Sequence, residues 1–414
     1  MRSLFSKSQT DTTSSANLQV LGRYVKRNAF LAIIAAVIGL WALQVLFSYL
    51  SELEALTDSY TMSDALKFIF YRSPYFLEEF MPTGALLGAV VGLGLLANKS
   101  ELVVMRAAGV SIYRIVGWVL QPALLFVLLA LAINQFVLPY SNQRANAINN
   151  EDHSSLVTSV RGYWTVQPRF KTVDNKNSAN DSNNANNTEV ASIQRDGSDI
   201  LYIDYADVEG NIGQVKRWHL DNSGNLQTAV HADGGKYIGR QVLTGEAATP
   251  SEQYRYDWKL YNMTTLSINQ GFGSSQATTA SDLLSLPFSP DSVYLLTRQA
   301  EDLSLTQLYE HRQFMRQQGK RSLTHELAFW QKLLSPLSIL SLVIVACSFV
   351  FGSLRTHSLG LRIVVAILFG LLFSYVQDLV GFVSLATGFS PMLMVLLPII
   401  ASTLAGGYLI KRQM

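Results

Sequence analysis

Residues 80–109 read FMPTGALLGAVVGLGLLANKSELVVMRAAG. The first part, 80–98, carries no charge and matches the roughly 20 apolar residues that a helix needs to cross a hydrocarbon core about 30 Å thick. From Lys99 onward the stretch is charged. An apolar run of this length that ends in a basic turn reads as a membrane span with its flank. The pattern recurs outward in both directions. Runs 29–51 and 115–143 are also free of charge, as are 333–354, 363–377 and the stretch from 379 almost to the end of the sequence. The last two divide at 386–391, where Gly388 and Pro391 suit a turn between helices. The chain therefore reads as an α-helical membrane protein with six transmembrane helices, three on each side of a polar insert.

Composition agrees with this reading. Of 414 residues, 49% are hydrophobic and 15% charged, whereas soluble domains hold about a quarter charged. The 32 basic and 30 acidic residues leave a net charge of +2, which lacks the basic excess of a nucleic-acid binder. A single cysteine, Cys347, excludes a disulfide scaffold and a cysteine-based zinc site. Arg23, Lys26 and Arg27 abut the first span, and Lys99, Arg106 and Arg114 lie between the second and third. Arg355 and Arg362 join the fourth and fifth, and Lys411 and Arg412 follow the sixth. An even number of spans puts all four basic groups on one side, the cytoplasm, and the insert on the other. Residues 1–20 are polar and offer no apolar segment of a cleavable signal peptide, so the first span is expected to be retained.

The expected divisions are a cytoplasmic N-terminus at 1–27, three spans within 28–139 with a connecting helix at 99–113, an insert at 140–300, and a connecting helix plus three spans at 301–414. Within the insert, 200–205, 215–220, 237–243 and 254–261 have strand composition, separated by Asn222-Ser223-Gly224-Asn225 and Asp233-Gly234-Gly235 turn chemistry. Such spacing favours a β-sandwich or jelly roll. The asparagine-rich run 175–187 is expected to be a loop. Residues 297–321 have helical character, with Arg312, Arg316, Lys320 and Arg321 on a basic segment near the membrane.

Covalent chemistry finds no foothold. The stretch 94–100 lacks the second glycine of a phosphate-binding loop and follows a membrane helix instead of a strand. His325-Glu326 is followed by Phe329 where a zincin needs its second histidine, and Gly388-Phe389-Ser390 lacks the closing glycine of a nucleophile elbow. The six histidines are scattered, so no metal site is expected.

The segment 100–111 is the most informative stretch. Ser100 can N-cap a helix on which Leu102, Met105, Gly109 and Ile112 share one stripe, while Glu101 complements the helix dipole and Arg106 points elsewhere. A short amphipathic helix between two spans fits either a groove on a soluble partner or the membrane interface. Gly84, Gly88 and Gly92 stand four apart and make a flat face for close helix packing. Asp378 lies inside an apolar run and is expected near the outer end of the fifth span, in water. Glu78 and Glu79 are expected at headgroup level on the same side, with Glu52 and Glu54.

These features together resemble a known family. Leu21-Gly22-Arg23-Tyr24-Val25 precedes the first span, and the glycine ladder runs into Ser100-Glu101-Leu102-Val103-Val104-Met105-Arg106-Ala107-Ala108-Gly109. Trp330-Gln331-Lys332 with Pro336, Phe351-Gly352-Ser353-Leu354-Arg355, Gly360-Leu361-Arg362 and Leu397-Pro398 follow in order. The chain is similar nearly end to end to the lipopolysaccharide export permeases of Gram-negative bacteria, the LptF and LptG subunits, and its glutamate-led turn is most like the G type. The resemblance implies a periplasmic β-jelly-roll insert and an inner-membrane chain without catalytic residues or a cofactor of its own. It implies pairing with an F-type permease (LptF) and bridge proteins (LptC, LptA), with ATP and Mg bound by a separate dimeric ATPase (LptB). That ATPase would dock on Ser100, Glu101, Leu102, Met105, Arg106 and Gly109. The cargo would be lipopolysaccharide or lipooligosaccharide.

The outer end of the first span departs from the family: Ser48, Glu52, Glu54 and Ala55 stand where lysines are expected. Arg72, Arg312 and Arg316 are candidates for phosphate contact instead, as are the partner subunit and divalent cations bridging Glu52 or Glu54. Phe47, Leu50 and Phe80 are candidates for acyl-chain contact. The competing readings are an FtsX-like mechanotransmission protein, disfavoured by six spans, and an ion-driven transporter, disfavoured by the lack of internal repeats.

Overall fold

A computed structural model describes residues 2–54, 56, 60–150, 162–173, 192–204, 206, 209–242, 254–269, 273–286, 289–317, 320–352 and 358–413. The asparagine-rich run 175–187, and Ala55 and Arg355, lie outside these residues. Two compact units emerge, a helical one of residues 1–157 with 300–414 and a sheet-bearing one of residues 158–299.

The helical unit begins with α1 (Arg2–Glu54), α2 (Met62–Asn98), a seven-residue α3 (Glu101–Ala107) and α4 (Ile112–Ala132). A π-turn (Ile133–Val137) leads into α5 (Leu138–Asn150). Six helical stretches are long and apolar enough to cross a membrane: 19–54, 62–98, 112–145, 323–351, 359–387 and 391–411. These agree with the six expected spans. Because the third continues as helix to Asn150, the sheet unit starts at 158, later than the expected 140.

After the insert, α7 (Leu305–Gln317) precedes α8 (Leu323–Phe351), α9 (Leu359–Thr387) and α10 (Pro391–Lys411). The turn between α9 and α10 falls where Gly388 and Pro391 place it, with Gly388 at φ +73°. The expected helix at 297–321 is shorter, because a turn over 300–304 comes first. Ser304 caps α7 reciprocally: its hydroxyl accepts from Gln307 N at 3.2 Å, and its own N–H donates to Gln307 Oε1 at 2.9 Å. Leu303 and Leu308, both fully buried, flank that cap as a hydrophobic staple.

α2 and α8 are the most enclosed spans, whereas α1 and α9 show much of their surface. A glycine face explains how α1 lies along α2. A Cβ on Gly88 would fall 2.3 Å from Ile33 Cα, one on Gly84 2.9 Å from Val37 Cα, and one on Gly92 3.2 Å from Ala29 Cα. Backbones meet only where side chains are absent. On the far side of α8, Ser341 hydrogen-bonds Ser402 of α10 inside the core.

The sheet unit contains β1 (Tyr163–Val173), β2 (Ser192–Ile203), β3 (Asn211–Ile212), β4 (Val215–Leu220), β5 (Leu226–Ala232), β6 (Gly234–Val242), β7 (Tyr254–Asn269), β8 (Gly273–Leu286) and a closing helix α6 (Pro290–Thr297). Every pairing is antiparallel. β5 and β6 follow one another through Asp233 and both pair with β7, at 264–267 and 254–261. Residues 226–242 thus act as one long strand between β4 and β7, and the described strands form a single sheet of consecutive neighbours. At the β4–β5 turn, Asp221 accepts the backbone N–H groups of Ser223 and Asn225 at 2.8 Å each, and these bonds hold its carboxyl below the usual range.

Candidate functional site

The turn between the second and third spans is rigid inside and apolar outside. Leu102, Met105 and Val110 are buried in the helical core. Gly109, at φ +85°, ends α3: its N–H donates to Arg106 O, and the N–H of Val110 donates to Met105 O. This is a left-handed helix stop with its apolar pair Met105 and Val110. Gly109 is therefore not part of a helical stripe, as the sequence suggested, and Ile112 begins a new helix. The expected cap at Ser100 is also not made. Ser100 sits at φ 58° and its hydroxyl gives no capping bond, because the chain reverses directly from the last turn of α2.

Glu101 is held from the side by Tyr24 of α1, whose hydroxyl donates to Oε1 at 3.2 Å. Its Oε2 is buried with no hydrogen-bond partner among the described residues. Val103 and, at 66% exposure, Val104 face outward from α3, with Tyr113 at 58% beside them. Arg106 and Arg114 are exposed on the same turn, and Arg23, Arg27 and Lys99 are exposed at the same end of the bundle. In the sequence Tyr24, Val103 and Val104 stood out only as members of the family motifs, not as surface residues, and Tyr113 was not singled out. The alternation of buried Leu102 and Met105 with two exposed valines was the available signal.

Arg362 differs from its neighbours in the basic set. Counted as a loop cation, it is instead in the first turns of α9 and 3% exposed. Leu359 and Arg362 face Gly94 of α2, where an added Cβ would come within 2.5 Å of Leu359 Cδ1 and 3.9 Å of Arg362 Nη1.

The opposite end of the bundle holds a polar knot. Glu78 Oε1 accepts from Asn134 Nδ2 at 3.0 Å and from Ser335 Oγ at 3.2 Å. Asn134 is buried within the π-turn. Glu78 therefore joins three helical segments, α2, the π-turn and α8, through its Oε1. Asp378 is exposed along α9 among Tyr375, Leu379 and Phe382, short of the helix end.

Two of the arginines considered for phosphate are already engaged. Arg72 lies 4.2 Å over the Tyr75 ring and 3.9 Å from the Glu301 carboxylate. Arg312 reaches Glu326 at 3.5 Å and lies over the Phe329 and Trp330 rings. Arg316 is exposed. Phe47 and Leu50 are exposed on α1, and Phe80 is half-buried on α2. Glu52 accepts from the Tyr60 hydroxyl at 3.2 Å.

Comparison with known proteins covers nearly the whole chain. A family profile described as "Lipopolysaccharide export system permease LptF/LptG" matches residues 23–412. The chain is 25% identical over 397 residues to the lipopolysaccharide export system permease protein LptG of Escherichia coli strain K12, spanning 95% of this chain and 98% of that protein. It is 24% identical over 402 residues to LptG of Haemophilus influenzae strain KW20 Rd, spanning 96% and 99%.

Proposed function

The chain belongs to the lipopolysaccharide export permease family LptF/LptG, and on that premise we propose that it is the G-type membrane subunit of an ATP-driven lipopolysaccharide exporter. It pairs with an F-type permease and extracts lipopolysaccharide or lipooligosaccharide from the inner membrane for a periplasmic bridge. A separate dimeric ATPase binds and hydrolyses ATP with Mg. Both termini face the cytoplasm and the sheet unit faces the periplasm, because the exposed basic residues Arg23, Arg27, Lys99, Arg106, Arg114, Lys411 and Arg412 gather at one end of the spans.

The observation that carries the reading is the α3 turn. An exposed Val103, Val104 and Tyr113 patch with basic neighbours is a surface for a soluble partner. Its underside is locked into the core by Leu102, Met105 and Val110, so force applied there passes into α2 and α4. Glu101→Lys places a cation where Tyr24 now donates. This variant is expected to lose the co-purifying ATPase and lipid export while still entering the membrane. Co-purification and export at wild-type levels would refute the docking assignment. Depletion in the native host separates the classes: lipopolysaccharide retained in the inner membrane supports export, whereas failed septal hydrolysis supports mechanotransmission.

A further inference from the structure

Where the chain returns from the insert, residues 300–304 are packed into the helical unit. Ala300, Asp302, Leu303 and Ser304 are all buried. A buried irregular segment leaves backbone carbonyls that must find donors. Two of them are met by one side chain: Lys332 Nζ donates to Glu301 O at 2.8 Å and to Leu303 O at 2.7 Å. Asn142 Nδ2 lies 3.5 Å from the same Glu301 carbonyl, and Gln135 of the π-turn donates to Thr306 at 2.9 Å. Lys332 stands one turn before Ser335, which donates to Glu78. One face of α8 therefore holds the return segment, α2 and the π-turn together.

We propose that Lys332 is a positioning residue of the transport cycle: by capping Glu301 O and Leu303 O it clamps the return segment and the start of α7 to α8, so that they move as one body. The proposal rests on the export reading only for its transport consequence. A lysine suits the task because its single ammonium carries several donors on a long stem and reaches two carbonyls on one turn. Methionine keeps the stem and removes the donors, leaving Leu303 O without this donor and Glu301 O with only the 3.5 Å contact from Asn142.

The test uses the intact complex with its ATPase, comparing wild type, Lys332→Met and Lys332→Arg. Lys332→Met is expected to raise hydrogen exchange in residues 301–308 by about tenfold, the loss of a charge-assisted hydrogen bond. Exchange in α1 and α10 and the amount of bound ATPase should not change. Lipid released per ATP should fall roughly fivefold, and Lys332→Arg should restore both in part, since it keeps the charge and donors on a bulkier, planar head. Unchanged exchange in 301–308 overturns the clamp. Faster exchange with normal release per ATP overturns the positioning role. If Lys332→Met does not accumulate, Lys332→Gln, with one amide group in place of the ammonium, is read by the same criteria. A wild-type complex that moves no lipid would refute the export reading alone, because the exchange measurement still decides the clamp.

Discussion

Gly88 shows what one missing side chain does. Its would-be Cβ position is 2.3 Å from Ile33 Cα, so even a methyl group there has to separate two helix backbones. Overpacking of this kind costs about 1–3 kcal/mol. Gly88→Ala is expected to lower the melting temperature of the detergent-solubilised chain by several degrees. Gly117→Ala, with nothing within 4 Å, should leave it unchanged or slightly raised. Thermal unfolding of the two variants side by side checks this, and equal midpoints would contradict it. The ladder was legible because helical periodicity fixes which residues share a face. Its partners Ala29, Ile33 and Val37 were not, since nothing in a local pattern says which helix lies opposite. Gly109 was legible as a glycine but misplaced in role, because a stripe and a helix stop can occupy the same spacing.

At the scale of an element, α7 is fastened to the start of α8 by charge and by an unusual ring pair. His311 is buried and stacks on His325 at 3.9 Å between ring centres. Arg312, Arg321 and Glu326 form the adjoining ion pairs. Burial first, and repulsion from a charged His325 second, push the His311 imidazole down to about 3. Folded His311 is therefore neutral between that value and its ordinary value near 6.5, while the unfolded chain takes up the proton. His311 then contributes a stability that is complete above pH 6.5 and falls as pH drops toward 3. His311→Gln should flatten that acid slope, as read from melting temperatures between pH 7.5 and 5. An unchanged slope would mean that the loss arises elsewhere. The sequence indicated a basic helix here and nothing of the histidine pair. His311 and His325 are on different helices, α7 and α8, and no local pattern says that these two pack side by side. The Ser304 cap with Gln307 was missed as well, since the expected helix ran through it from 297 to 321.

Across the whole molecule, charge and apolar length set the architecture before any packing is considered. Six apolar runs delimited the spans closely, but the insert boundary moved from 140 to 158 because α5 continues the third span past its apolar part. Orientation depends on the same charges: the exposed arginines and lysines gather at the α3 end, and translocating them would oppose the positive-inside bias. Cys347 makes this testable. It is fully buried in α8, so the folded wild-type chain should resist a membrane-impermeant maleimide, and Cys347→Ala supplies a cysteine-free background. Against that background, Ser223→Cys at the exposed β4–β5 turn should label in cells whose outer membrane has been made permeable. Val104→Cys should label only after the inner membrane is also opened. Labelling of both positions from one side, or of Val104→Cys first, would reverse the orientation and remove α3 from reach of a cytoplasmic ATPase.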